Sequence, residues 1–267
     1  MPLTVTFDTG VLADVVCPET SQPPTDPADA ARVRAGIQSG KIQGVFCETL
    51  ITVEGIRRVD RSAVFGSTVA NARCQHETAP DGSGVTYIDL RVEQAARLAL
   101  DQQQADRFSA AFALGMKLVD VPRIAMAKVD NPDGNRYLTE SDEAELIRRL
   151  ERQHTVLSAI EARGLACAQA QRIAIEIQTE IGGNGNFLLY LGHPRNPTEQ
   201  KKVICAINEW SDGDGIAAHY GYGIDLFCSR GCGKNAGKAS VLHPDNRQWL
   251  SEAFGIRFVT LAELAGW

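Results

Sequence analysis

The run Leu3-Thr4-Val5-Thr6-Phe7 is rich in β-branched and aromatic residues and ends directly on an acid, Asp8. Such a run reads as a short buried strand. A Pro-rich loop at 18–27 leads into a helix that Pro27 opens, Asp26 caps and Gly40 closes, and a second short strand follows at 42–46. The alternation returns at the other end of the chain. A helix over 198–210 precedes a strand at 225–228, a helix at 244–254 and a strand at 256–260. Parallel neighbours need a crossover connection, and helices between strands supply it. The two ends are therefore predicted to build an α/β core around a parallel sheet.

The middle changes character. Over 61–90 small and polar residues alternate with short β-like runs, and Asp81-Gly82-Ser83-Gly84 marks a turn. Helices are expected at 92–114, 139–163 and 166–181, a strand at 117–125 and a turn at 131–135. The segment 61–198 thus reads as a mostly helical insertion or elaboration of a core made from 1–60 and 199–267. The stretch from Trp210 through Asp212-Gly213-Asp214 reads as the start of a separate short helix.

The whole chain sets limits on function. Its 267 residues suffice for one substantial domain. Net charge is −6, from 27 basic and 33 acidic residues, which argues against a protein that coats nucleic acid without preference. The seven cysteines are odd in number, and no pair has the spacing of a zinc ribbon; Cys228 and Cys232 are four apart with no companion pair. They read as buried reduced thiols. The sequence begins without a signal-peptide pattern, and no window approaches about 18 uninterrupted apolar residues, so a cytoplasmic protein that makes no membrane contact is expected.

Acids collect at the predicted strand ends and helix starts. Asp8 follows the first strand, and ligands of open parallel sheets bind outside the carboxyl ends of strands. Glu48 follows the second strand, and Asp212 and Asp214 stand before Ile216. Each has an ordinary alternative as a turn or helix cap. Their shared placement in one α/β core points instead to convergence on one sheet edge. A phosphohydrolase built on D-x-D-x-T is a poor fit, because Gly10 occupies the second acid position. Gly182-Gly183-Asn184-Gly185 follows a helix, whereas phosphate-cradling glycines follow a strand.

Three stretches carry a family resemblance. VTFDTGVLADVV resembles the opening strand and first acid of a PIN domain. VFCETLITVEGI resembles that family's next helix with its second acid, and SDGDGIAAHYGYGIDLFCSRGCGK its D-x-x-I-A-A block with a following strand and an S/T-x-D ending. The resemblance covers roughly 1–60 and 199–267. It implies a PIN-like three-layer fold, a central parallel sheet flanked by helices, in a single domain. It further implies a metal-dependent nuclease, with RNA as substrate and Asp8, Glu48 and one of Asp212 and Asp214 as ligands of Mg²⁺ or Mn²⁺. The family's third acid lies three residues before the Ile, where this chain has Gly213; both neighbours stay open, with Asp214 preferred. Oxygen-only ligands suit these hard cations better than zinc. Hydrolysis would leave a 5′-phosphate and a 3′-hydroxyl. Ser229 matches the hydroxyl of the ending, and Arg230 and Lys234 are placed to meet substrate, with Arg57, Arg58, Arg61 and Lys238 as further backbone contacts. His219 is assigned no role.

The departure is Gly231, which stands where the ending would carry a fourth acid. Three explanations are open: a site working with fewer acids, a naturally impaired protein, or an inactivated variant. A non-catalytic PIN-like module that binds RNA or protein is the alternative reading. A protein partner or antitoxin and a homo-oligomer are left open as well.

Overall fold

A computed structural model describes residues 2–21, 23–78, 80, 83–94, 102–121, 129–230 and 237–267. Its elements run β1 (Leu3–Phe7), α1 (Thr9–Val16), α2 (Pro27–Gln38), β2 (Ile42–Cys47), α3 (Arg61–Gly66), β3 (Thr68–Thr78), β4 (Gly84–Gln94), α4 (Gln102–Ala113), β5 (Lys117–Val119), α5 (Glu143–Ala162), α6 (Cys167–Ile181), α7 (Phe187–Leu191), α8 (Pro197–Gly221), β6 (Leu226–Cys228), α9 (Pro244–Phe254), β7 (Phe258–Val259) and α10 (Leu261–Leu264). A π-helical turn, Leu50–Glu54, follows β2.

Five strands form one sheet in the order β5-β2-β1-β6-β7, and every pair is parallel. Both ends of the chain share it: Val5 lies opposite Gly44 on one side and Leu226 on the other. An edge strand, β5, comes from within 61–198 and pairs with β2. The order reverses at β1, with the earlier crossovers to one side and the later ones to the other. The carboxyl ends of β1 and β6 therefore flank the point where an open α/β sheet leaves a crevice.

Side-chain alternation along the strands assigns the layers. Val5 and Phe7 pack with α1, α2 and α4. Thr6 points the other way, its Oγ1 3.0 Å from Nδ1 of His219 on α8. Phe227 of β6 packs with Ile216 and Ala217 of α8, Ile160 of α5 and Leu250 of α9. A further apolar cluster joins Phe65 of α3, α6, α7 and the first half of α8. The result is an α/β fold with helices on both faces of a central parallel sheet. His219 is buried, and desolvation pushes its imidazole down to about 3, so it is a neutral packing residue against the sheet.

Several local expectations are met. Asp26 caps α2, its Oδ1 accepting from Ala28 N at 2.8 Å, with Pro27 at the first helical position. The turn at 131–135 closes through Gly134 N to Asn131 O at 3.1 Å, with Gly134 at φ +66°. Others are corrected. The segment expected to be mostly helical also holds a long antiparallel hairpin, β3–β4, and β4 runs to Gln94 where a helix from 92 was expected. Cys47, Cys167 and Cys228 are buried as expected of the thiols, but Cys74 and Cys205 are exposed. The strand at 117 ends at Val119. Its expected continuation over 122–125 lies outside the described residues, as do Asp81 and Gly82 of the expected turn.

The largest correction concerns α8. Asp212-Gly213-Asp214 is not a helix start but the interior of one continuous helix of 25 residues. Its cap is Asn196, whose side chain accepts from Glu199 N at 2.9 Å. Gly213 is there for contact: a Cβ at this position would lie 2.4 Å from Cβ of Ala166 at the start of α6. Glycine costs helix propensity, and close helix approach is what it returns. No helix among the described residues is long and apolar enough to cross a membrane.

Candidate active site

Asp8 directly follows β1, its backbone N donating to Cys228 O of β6 at 3.0 Å. Its Oδ1 accepts from Thr9 N at 2.7 Å, so it also caps α1. Capping and site chemistry coexist, because one carboxylate has oxygens for both. Its pKa is pushed up to about 7, first by burial and then by the negative charge of Glu54; Arg230 and Arg247 pull the other way.

Glu54 is the last residue of the π-helical turn. A π turn re-aims side chains relative to an α-helix and is often found at functional positions. Glu54 Oε2 accepts from Thr9 Oγ1 at 2.7 Å, and its Oε1 from Ser211 Oγ on α8 at 2.9 Å. It thereby joins the end of β1 to the middle of α8. Burial raises its pKa, the largest influence, while the two hydroxyls and Arg61 oppose the rise. Arg61 is fixed beneath the turn: its Nη2 donates to Glu54 O at 2.6 Å, its Nε to Ile56 O at 3.1 Å, and its Nη1 to Asn208 Oδ1.

Asp212, one residue beyond Ser211, completes the group. Its pKa is raised well above the ordinary carboxylate range by burial, then by Asp8, Glu54 and Glu209. Glu209 lies one turn earlier on α8, accepts from Val241 N at 2.9 Å and is itself raised by burial. Asp8, Glu54 and Asp212 thus form an electrostatically linked set contributed by β1, the π turn and α8.

The other expected site residues are placed differently. Glu48 is buried and turned toward β5: its Oε1 accepts from Val121 N at 3.3 Å and its Oε2 from the Tyr137 hydroxyl at 2.9 Å. It stitches the ends of β2 and β5 together. Asp214 is buried, and two residues along a helix turns a side chain by about 200° from Asp212. Ser229 is buried at the end of β6, its Oγ without a hydrogen-bond partner among the described residues. Arg230 grips Asp14 with two bonds, 2.9 and 3.1 Å, and Thr25 Oγ1 adds a third to the same carboxylate at 2.6 Å. Gly231 and Lys234 lie outside the described residues. Lys238 is exposed.

Glu54 and Glu209 were missed by the sequence reading. Glu48 and Glu54 lie in the same twelve-residue stretch, and strand adjacency favoured the first. A π turn has no sequence period that would have moved the choice six residues on. Glu209 and Asp212 do carry a signal, an i, i+3 pair on one helix face, but it is visible only if α8 is read as continuous.

A cavity of about 330 Å³ opens beside Glu54 and is lined also by Arg57, Arg58, Arg61, Gln103 and Gln104. Among the described residues no group of three or more His, Cys, Asp or Glu side chains is already drawn together closely enough to hold a metal ion. What the donor chemistry offers is a set of oxygen ligands whose mutual repulsion a hard divalent cation would relieve. No family model, no curated protein and no solved structure matches the chain.

Proposed function

We propose that this chain is a metal-dependent nuclease of the PIN-like kind that hydrolyses phosphodiester bonds in RNA. The observation that carries the reading is the linked set Asp8, Glu54 and Asp212 at the carboxyl edge of β1, where each acid is held against its own charge. These three would hold Mg²⁺ or Mn²⁺, with Glu209 at the margin. When bound, the ion supplies charge neutralisation on the phosphate and a more acidic water. Thr9 and Ser211 hold the Glu54 carboxylate in one orientation, and Arg61 offsets part of its charge from below. Arg230, braced by Asp14, presents its outer face to an incoming phosphate. In the reaction a water oxygen bonds to phosphorus as the P–O3′ bond breaks.

A second reading rests on Gly231 in place of the fourth acid: a PIN-like module that binds RNA or protein without cutting. Hydrolysis of single-stranded RNA in Mn²⁺ by the wild type, Asp8→Asn and Gly231→Asp separates the two. The nuclease reading expects cleavage by the wild type, faster in Gly231→Asp. It expects Asp8→Asn to lose at least the roughly 100-fold that even outer-shell ligand partners cost. Cleavage by Gly231→Asp alone marks an impaired nuclease, and cleavage by neither supports the binding module.

A further inference from the structure

We propose that a groove leading away from the carboxylate cluster binds the backbone of a single-stranded nucleic acid, with Arg58 and Lys201 each holding a phosphate. The assignment deepens the nuclease reading, which explains why a strand would enter there. Two separate cavities with Arg58 in common line its course. The one of about 330 Å³ begins at Glu54 and passes Arg57 and Arg58. The next, about 280 Å³, shares Arg58 and continues over Val59 to Gln200 and Lys201 at the start of α8. The path therefore starts at a proposed metal ligand and runs onto cationic surface.

The charges along it are available. Arg57 is tied to Asp60 at 2.6 Å, and Arg195, nearby on the chain before α8, is held by Glu180 and Glu199. Arg58 reaches nothing stronger than the Cys205 thiol, 3.8 Å away, among the described residues. Lys201 is exposed and forms no salt bridge among them. In a chain of net charge −6, two such cations beside one groove are a local exception to the acidic balance.

The rest of the lining favours nucleic acid over an acidic peptide. The side-chain amide of Gln200 can donate to and accept from base edges and sugar hydroxyls, and the amide nitrogen of Gln104, whose oxygen accepts from Arg107 at 3.3 Å, can donate to them. Val59 is 65% exposed and offers an apolar surface on which a base can rest. A run of carboxylates would use the cations and leave these features unmatched.

The test is binding, not cleavage. Fluorescence anisotropy would follow a labelled single-stranded oligoribonucleotide of mixed sequence with Asp8→Asn protein, and with Asp8→Asn carrying Arg58→Glu and Lys201→Glu. The charge-reversed protein is expected to bind at least tenfold more weakly, and its log–log salt slope to fall by about 1.4, from about 0.7 for each of two lost phosphate contacts. An unchanged melting temperature checks that it is folded, and Arg58→Ala with Lys201→Ala should show the same direction with a smaller loss. Equal affinity of the charge-reversed and parent proteins overturns the proposal. So does no binding by either at low salt, or tighter binding of polyglutamate than of the oligonucleotide. If the strand binds through Arg58 and Lys201 while the otherwise wild-type protein cuts nothing, the groove stands and the nuclease reading falls. If that protein cuts and the reversal changes nothing, the groove alone falls.

Discussion

Metal-free Asp212→Asn protein is expected to unfold at a higher temperature than the wild type at pH 8, by roughly 5 °C. Asp8, Glu54 and Asp212 all have raised pKa values in the fold, so the folded state binds more protons than the unfolded state between about pH 4 and their folded values. Stability contributed by these groups is then fully present below about pH 4. It is lost as pH rises through the folded value, about 7 for Asp8. Replacing Asp212 by an uncharged isostere removes one repelling partner from both Asp8 and Glu54. At roughly 2–4 °C per kcal/mol for a chain of this size, relief of even a modest repulsion reads as a few degrees. At pH 4 the difference should shrink toward zero. Adding Mn²⁺ should reverse the order at pH 8, because a ligand of the folded state stabilises the protein that binds it better. Calorimetric scans at the two pH values measure this, and a lower melting temperature for Asp212→Asn at pH 8 would contradict it.

Gly66→Ala is expected to destabilise the protein by about 3 kcal/mol or more. Gly66 ends α3 where it meets the end of α7. A Cβ there would lie 2.3 Å from Gly192 Cα and 2.7 Å from Gly192 N, both backbone atoms that cannot rotate away. The joint is locked alongside by Ser62 Oγ donating to Leu191 O at 2.6 Å. Overpacking of this kind costs about 1–3 kcal/mol where side chains can adjust, and more where they cannot. Gly215→Ala is the matched control. The nearest atom to a Cβ there, Cys47 Cβ, is 3.8 Å away, and helix propensity favours alanine by about 1 kcal/mol. Denaturant unfolding should show the first variant well below the wild type and the second at or above it. A Gly66→Ala protein within 1 kcal/mol of wild type would mean that α3 and α7 do not approach so closely.

The contrast between these glycines also shows where sequence reasoning stopped. The first strand and its acid were legible, since β-branched residues ending on Asp8 need no partner to be recognised. The cap and opening proline of α2 were legible for the same local reason. Gly213 was not, because its cause is Ala166, far away in the chain. Reading Asp212-Gly213-Asp214 as the start of a separate helix cut α8 in two and hid the i, i+3 pair Glu209 and Asp212. The place of β5 at the sheet edge was equally hidden, since pairing with β2 is a long-range choice. Glu54 was lost to a π turn, and Glu48 was preferred although its partners, Tyr137 and Val121, are ones that only the fold brings near.

The most direct measurement is a calorimetric titration of Mn²⁺ into three metal-free proteins: wild type, Glu54→Gln and Glu48→Gln. Glutamine keeps one carbonyl acceptor, and its amide NH2 can donate to a facing hydroxyl, Tyr137 for position 48 and Thr9 or Ser211 for position 54, so both variants are expected to fold; unchanged melting temperatures check this. The assignment of Asp8, Glu54 and Asp212 as the metal-holding set predicts that the wild type binds. It predicts that Glu54→Gln loses on the order of 100-fold in affinity and that Glu48→Gln binds as the wild type does. Loss of affinity in Glu48→Gln with none in Glu54→Gln, or no binding by the wild type, would contradict it.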